Sequence, residues 1–522
     1  MNFKELTKEQ IEQAKKIYTD NSLSWDDRMG KLINHFGGVS ERTVRNWCTK
    51  LNFKKKIDKE IDVLVKAKDY LHDKTKKRFL ISWAQNATSV HKQLFENMEA
   101  YAKFIDAQII IIPGRYHNVT GIMDNVAKAA SQEWWDPRIV KYLSKNRHNL
   151  NNGVSVLSDI SVQPTAVNPL NSLESLTQGE SAIVGHPRVH LKTLPVLDPS
   201  NPRVMMSTGS CTISNFSESK AGKIGEFHHT LGMVVVELRD NERFFARQIT
   251  ATANGNFIDL YYSVENGKIT TINETLALIK GDIHYGNHDE IILNKSFTKL
   301  VPKIKPKQII LHDIFDGYTV NPHEMNNFVK QYENEKNGKN SLKTEIDALI
   351  KWLDTIKQHN LVVVFSNHDD FLTRFIINAD VKKNVKNALE YMEYGKILLE
   401  GKAPNGIIPY IINQKFKNIK CLGRNESYKV KDWELGIHGM DGVNGSRGSI
   451  QQYRRLNSKL VSAHAHSPCR LDGTLQCGCN TKLRMGYNNG MSTWALSDVI
   501  IHKNAKAQHI IYHADGEYTT FK

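Results

Sequence analysis

The chain has 522 residues, 40% of them apolar, and 70 Lys and Arg against 55 Asp and Glu leave a net charge of +15. That is room for about three domains, and the positive excess favours a polyanionic partner over an acidic one. No apolar run approaches a bilayer span, no signal-peptide core opens the chain, and six cysteines without framework spacing argue against a disulfide-built secreted domain, so a cytoplasmic protein with no membrane partner is expected.

The first legible elements lie in residues 26–53. Met29, Leu32, Ile33 and Phe36 recur at helical spacing and stop at Gly37-Gly38. Ser40 is placed to cap a second helix, ERTVRNWCTKLN, whose Val44, Trp47 and Leu51 would face inward. Two helices joined by a glycine turn predict a helix-turn-helix DNA-binding domain over residues 1–56. Its outward residues Arg42, Thr43, Arg45, Asn46 and Lys50 are of the types that touch phosphates or base edges. A plain helical hairpin with a basic solvated face is the competing reading. Residues 57–78 are expected to form a basic helical linker, with a helix over 58–71 between Lys54-Lys55-Lys56 and the DKTKKR run that ends at Arg78.

Residues 79–270 read as a mixed α/β middle domain. A strand over 78–83, a helix over 89–104 and a strand over 107–112 make a β-α-β unit. Trp134-Trp135 suits core better than a stacking platform. Residues 151–201, rich in Ser, Pro and Asn, suggest loops and short strands, and 204–264 alternate as β structure. Inside the latter, SESKAGKIG (217–225) has the small residues of a phosphate-cradling loop but no Walker spacing. Its Lys220 and Lys223, with His228 and His229, could line a DNA path or sit on a solvated surface.

Residues 271–522 carry four strings of metal-ligand residue types. They are Gly281-Asp282-Ile283-His284, Asp313-Ile314-Phe315-Asp316, Asn367-His368-Asp369 and His464-Ala465-His466, with a lone His438 before the last. The first three follow apolar runs, where a buried strand gives way to a loop. Carboxylate, amide and imidazole groups in this order suit two divalent cations that share one carboxylate. Gly286-Asn287-His288-Asp289 imitates the third string, but no strand separates it from the first. The true third string follows Leu361-Val362-Val363-Val364-Phe365, itself preceded by Ile346, Leu349, Ile350, Leu353 and Ile356 at helical spacing. His288 is then either a substrate contact or a surface histidine. The glycines of residues 439–448 would let backbone approach a phosphate that Arg447 clamps, or would merely form a turn. Cys469, Cys477 and Cys479 lack a CxxC pair and read as small strand residues rather than zinc ligands.

The ordered set resembles the calcineurin-like metallophosphoesterases, whose pattern runs DxH, GDxxD, GNHD, H and GHxH. The resemblance implies an α/β fold with a β-sandwich flanked by helices. It implies a first ion held by Asp282, His284 and His466, a second held by Asn367, His438 and His464, and Asp313 bridging them. His368 would face the scissile phosphate with Asp369 orienting its ring, and Asp316 would contact substrate. His312 and Ser366 stand where the family has Gly. Gly317 stands where its protein phosphatases have Arg, which leans towards the nuclease branch. Ligation by N and O without thiolate suits Mn(II), the usual ion of nuclease relatives, with Mg, Fe or Zn as alternatives.

The whole chain is also similar to a group of large early DNases of tailed phages. That likeness rests on FLISWAQNATSVH (79–91), IIIIPGRYHN (109–118), SKAGKIGEFHH (219–229) and Met485-Gly486-Tyr487-Asn488-Asn489-Gly490. The expectation is a two-metal DNase that degrades host DNA early in infection, with homo-oligomerisation left open. The alternatives are a phosphodiesterase or phosphatase for nucleotides and small esters, and a non-enzymatic DNA-binding regulator on a vestigial phosphoesterase fold.

Overall fold

Three amphipathic helices open the computed structural model, which describes residues 3, 6–19, 25–51, 53, 70–116, 135–321, 327–378, 381–486 and 488–521. They are α1 (Lys8–Thr19), α2 (Trp25–His35) and α3 (Glu41–Lys50). Ala14, Met29, Leu32, Phe36, Val44 and Trp47 close a small core between them. Gly37 and Gly38 both take positive φ, which ends α2 in the left-handed region that glycine enters without steric cost. The Ser40 hydroxyl then accepts the Thr43 amide at 3.3 Å and starts α3. The expected linker helix over 58–71 lies almost wholly outside the described residues.

The strands of the middle region are β1 (Arg78–Gln85), β2 (Ala107–Gly114), β3 (Arg147–Asn149), β4 (Val154–Leu157), β5 (Ser181–Val184), β6 (His190–Leu194), β7 (Arg203–Ser207), β8 (Gly232–Leu238), β9 (Phe244–Thr250), β10 (Phe257–Asp259), β11 (Tyr262–Glu265) and β12 (Lys268–Thr271). β1 and β2 are parallel and joined by the helix Lys92–Phe104, the expected β-α-β unit. Trp135 is buried in the core under that helix. The SESKAGKIG segment is not a loop. It carries a helix, Lys220–Phe227, capped by Ser219, and a Cβ on Gly222 would meet the Ser217 carbonyl at 2.1 Å. Its small residues serve packing.

The later strands are β13 (Ala277–Ile279), β14 (Ile309–Leu311), β15 (Leu361–Val363), β16 (Lys420–Cys421), β17 (Lys429–Val430), β18 (Trp433–Glu434), β19 (Lys459–Ser462), β20 (Cys469–Leu471), β21 (Thr474–Gln476), β22 (Ser497–Ile501) and β23 (Ala507–Ile511). They build a six-stranded mixed sheet in the order β16-β15-β14-β13-β22-β23. A ten-stranded sheet, β17-β18-β19-β21-β20-β6-β7-β5-β4-β3, draws strands from both sides of residue 270, joined where β6 pairs with β20.

Period-two alternation fixes how the six-stranded sheet is covered. Ala277, Ile279, Ile310, Val362 and Val364 face a core shared with Trp433, Val461 and Leu475 of the ten-stranded sheet. Leu278, Ile309, Leu311, Leu361 and Val363 face a second core with Ile346, Leu349 and Leu353 of the helix Leu342–Ile356. Each fully buried Val, Leu or Ile contributes about 1.5–3 kcal/mol. A one-residue slip would turn both sets to the wrong side, so register is firmly specified. Sheet therefore lies on sheet, with helices on the outer face. Among the described residues no helix is long and apolar enough to cross a membrane.

Candidate metal centre

β13, β14 and β15 end side by side, and the loops that leave them carry the first three ligand strings; β18 and β19 of the facing sheet end towards the same place and deliver His438, His464 and His466. Gly281 is required before the first ligand, because a Cβ there would meet the Gly478 and Ser497 carbonyls at 2.5 and 2.7 Å. Four of the gathered residues, His284, Asp313, His464 and His466, have φ between +46° and +71°. Such conformations cost energy in residues with a Cβ and persist where the surroundings over-determine them, most often at functional sites.

Three groups of side chains could hold a metal ion: Asp282, His284, Asp313 and His466; Asp313, His438 and His464; and His284, Asp316 and His368, with Asp313 common to the first two. His284 Nε2 lies 3.6 Å from Asp313 Oδ2 and 3.4 Å from His466 Nε2. His466 Nε2 lies 3.0 Å from Asp282 Oδ2. On the other side, His438 Nε2 lies 3.3 Å from Asp313 Oδ2 and 3.1 Å from Asn367 Oδ1. Asn367 thus joins the second group through its amide oxygen.

The donor set fits cations. Asp282 is fully buried, and apart from the His466 ring 3.0 Å from its Oδ2, its carboxylate oxygens find no hydrogen-bond donor among the described residues. A buried carboxylate without donors is costly unless a positive charge meets it. Burial opposes protonation of His284, but Asp316, Asp313 and Asp282 around it prevail and push its pKa up to about 9. Asp313 and Asp282 likewise raise His438 against its burial. Asp313 is held well below the usual carboxylate range: burial would raise it, and the imidazoles of His438, His368 and His284 outweigh that. The field in this pocket asks for positive charge, which divalent ions supply.

Outer contacts set the tautomers. His284 Nδ1–H donates to Asp316 Oδ1 at 3.2 Å, which leaves Nε2 to face the centre. Asp316 Oδ2 accepts the Asn287 amide at 2.8 Å. Both oxygens of Asp316, expected to contact substrate, take part in holding this loop. Asp369 also differs from expectation. Its Oδ1 accepts the Phe315 amide at 2.9 Å, because the turn after Ser366 points it back into the core. The ring of His368 is instead held by the Asp316 carbonyl, which accepts its Nδ1–H at 2.8 Å and leaves Nε2 outward. His312, buried where glycine was expected, has Nδ1 3.4 Å from Nδ1 of His438. Burial and His438 lower its pKa to about 3, so it stays neutral and can accept from His438. Reading the motif alone missed this role.

His288 is absorbed locally. Its Nδ1 accepts the Gly286 amide at 3.1 Å, and its ring stacks on Tyr285 with centroids 4.5 Å apart. Asp289 caps the helix Glu290–Lys295 by accepting the Ile292 amide. Arg447 is exposed, and the ion pair that ties its loop is Arg424 with Asp441 at 2.9 Å. Cys477 and Cys479 are buried strand-side thiols, and all the cysteines are free. On α3, Arg42, Asn46 and Lys50 are exposed, while Thr43 and Arg45 are half-buried and Arg45 pairs with Glu41.

A cleft of about 330 Å³ opens beside the centre, with Asp316 and His368 in its wall and Lys330, Lys339, Lys482 and Arg484 around it. Sequence reasoning did not single out these four cations. Lys330 and Lys339 belong to a stretch of mixed charge, and only Lys482 and Arg484, soon after the last ligand string, carry a positional signal.

Protein A1 of Escherichia phage T5 is 30% identical to this chain over 454 residues, which cover 82% of this chain and 81% of that protein. The chain belongs to the Protein A1 family. No family model matches it, and no solved structure does. The match is long enough to reach well beyond the ligand strings, so the likeness is one of most of the polypeptide and not of one motif.

Proposed function

We propose that the chain is a two-metal phosphodiesterase of the calcineurin-like type that cleaves DNA. The observation that carries this reading is the pair of His/Asp groups sharing Asp313. Two divalent cations, when bound, neutralise charge on a phosphate and make water a competent nucleophile at neutral pH. Asp282, His284 and His466 would hold one ion, and Asn367, His438 and His464 the other, with Asp313 between them. The residues of the chain do the rest. His368, fixed through Nδ1, presents Nε2 to the oxyanion or the leaving oxygen. Lys482 and Lys339 at the cleft wall attract and orient the phosphate.

DNA as substrate is supported by the net charge of +15 and by the exposed basic face of α3. In this reading residues 1–56 form the helix-turn-helix that delivers the enzyme to duplex, residues 57–78 tether it, and residues 79–522 carry and frame the catalytic centre. Plasmid incubated with the protein and Mn(II) or Mg(II) should be nicked or degraded. Chelator, Asp313→Ala and His438→Ala should each abolish this. Hydrolysis of a chromogenic phosphodiester with plasmid left intact would reassign the site to small esters.

A further inference from the structure

A second cationic cleft of about 410 Å³ lies on the opposite rim of the ten-stranded sheet. Lys459 opens β19 and Trp433 opens β18, and both line this cleft, whereas His464 and His438 follow the far ends of the same strands. At about 3.3 Å per residue, five residues of strand separate the two sites by roughly 15 Å. The β20–β21 hairpin, with Arg470, Asp472 and Gly473, closes one side, and His228 and Thr250 of the middle region close another.

Lys459 pairs with Asp432, but the positive charge deeper in this cleft is not balanced. Arg454 Nη2 reaches Asp472 Oδ2 at 2.8 Å and Arg188 Nη1 reaches it at 3.5 Å. His190 Nε2 and His228 Nδ1 also lie 3.3 Å from that carboxylate. Arg470 is 5% exposed and turns Nε to the Asp472 carbonyl and Nη2 to the Thr250 hydroxyl, while its Nη1 has no hydrogen-bond partner among the described residues. The buried Arg188 likewise leaves Nε and Nη2 unpartnered. Lys506, at the mouth, forms no ion pair among the described residues; burial, with Lys459 and Arg470 as like charges beside it, lowers its pKa. Two guanidiniums on one carboxylate and a third on its backbone carbonyl, two of the three with unsatisfied N–H groups, are expensive to bury without a second anion. Arginine forks and lysines grouped in this way suit the tetrahedral oxygens of a phosphate.

We propose that this cleft is a second phosphate-binding site, separate from the metal centre, which takes the phosphate of a nucleotide, either free or within a DNA strand. Arg454, Lys459 and Lys506 at the surface contact the phosphate oxygens, and Arg470 and Arg188 behind them supply the uncompensated field. The site does not depend on the cleavage reading, because it uses none of the metal-ligand residues.

The test is titration calorimetry of the full chain in chelator, with inorganic phosphate, a deoxynucleoside monophosphate and a short duplex as three separate probes. Saturable binding of phosphate or mononucleotide that weakens at least tenfold in Lys506→Gln and Lys459→Gln, and persists in Asp313→Asn, supports a free nucleotide as ligand. Binding of duplex alone, weakened by the same rim variants, supports backbone phosphate. Both rim positions are only part-buried, so these variants should fold, and Arg470→Lys examines the buried layer. Absence of saturable binding by all three probes, or rim variants that bind every probe as the wild type does, overturns the site.

Discussion

Asp498→Ala should destabilise the C-terminal half more than any exposed substitution. Asp498 and Lys280 are both fully buried, with Nζ and Oδ2 2.6 Å apart. The same carboxylate accepts the Gly281 amide at 3.1 Å, the Asn480 side-chain amide at 2.7 Å and the Tyr512 hydroxyl at 2.7 Å. It therefore ties down the backbone immediately before Asp282. Removing one partner of a buried pair costs about 3–5 kcal/mol, since the other charge is left uncompensated. Three stranded donors add to that, against a total stability of about 5–15 kcal/mol for an ordinary domain. The variant should sit close to unfolding at 25 °C, and its midpoint in urea, followed by far-UV circular dichroism, should fall steeply. The neutral pair Lys280→Met with Asp498→Asn should recover much of the loss, because no charge remains buried. An Asp498→Ala midpoint equal to the wild type, or a double variant no better than Asp498→Asn alone, would refute the reasoning.

Other outcomes follow from the same physics. Glu345 is buried under the loop after Asp316 and accepts the Tyr318 and Thr319 amides; burial raises its pKa to about 8. Between its ordinary value of 4.5 and about 8 the folded state binds more protons than the unfolded one, so stability should fall as pH rises through that window. Urea midpoints at pH 5 and pH 8 should show that slope in the wild type and a flatter one in Glu345→Gln. His312→Phe should keep the fold but weaken metal binding about 10–100-fold, as loss of a contact that orients a ligand does; calorimetric titration with Mn(II) reads it. Arg42→Gln and Lys50→Gln should each weaken duplex binding and reduce the slope of log affinity against log salt by about one, measured by fluorescence anisotropy from low to moderate salt.

The gathering of the first three strings was legible because each follows an apolar run whose alternation forces a strand end, as Leu361 to Phe365 does before Asn367. The core of α2 and α3 was legible for a related reason: Met29, Leu32, Phe36, Val44 and Trp47 keep helical spacing on both sides of a glycine stop. Directions within turns were not legible. Whether Asp369 faces His368 or the Phe315 amide depends on the dihedrals of one turn, which residue types do not encode. Long-range pairing was equally hidden. β6 meets β20 across about half of the chain, so nothing near residue 190 announces that the middle region and the strands after residue 270 share one sheet. For the same reason the cleft around Arg470 has no local pattern: its cations come from separate segments that only the fold unites.

A two-metal centre is tested most directly by the number of ions it holds. The measurement is elemental analysis of the chain after loading with Mn(II) and gel filtration, with Asn367→Ala and Asp282→Ala beside the wild type. Two ions per wild-type chain and one in each variant are predicted. A wild type that retains no ion, or variants that retain two, would contradict a centre built from two groups joined at Asp313.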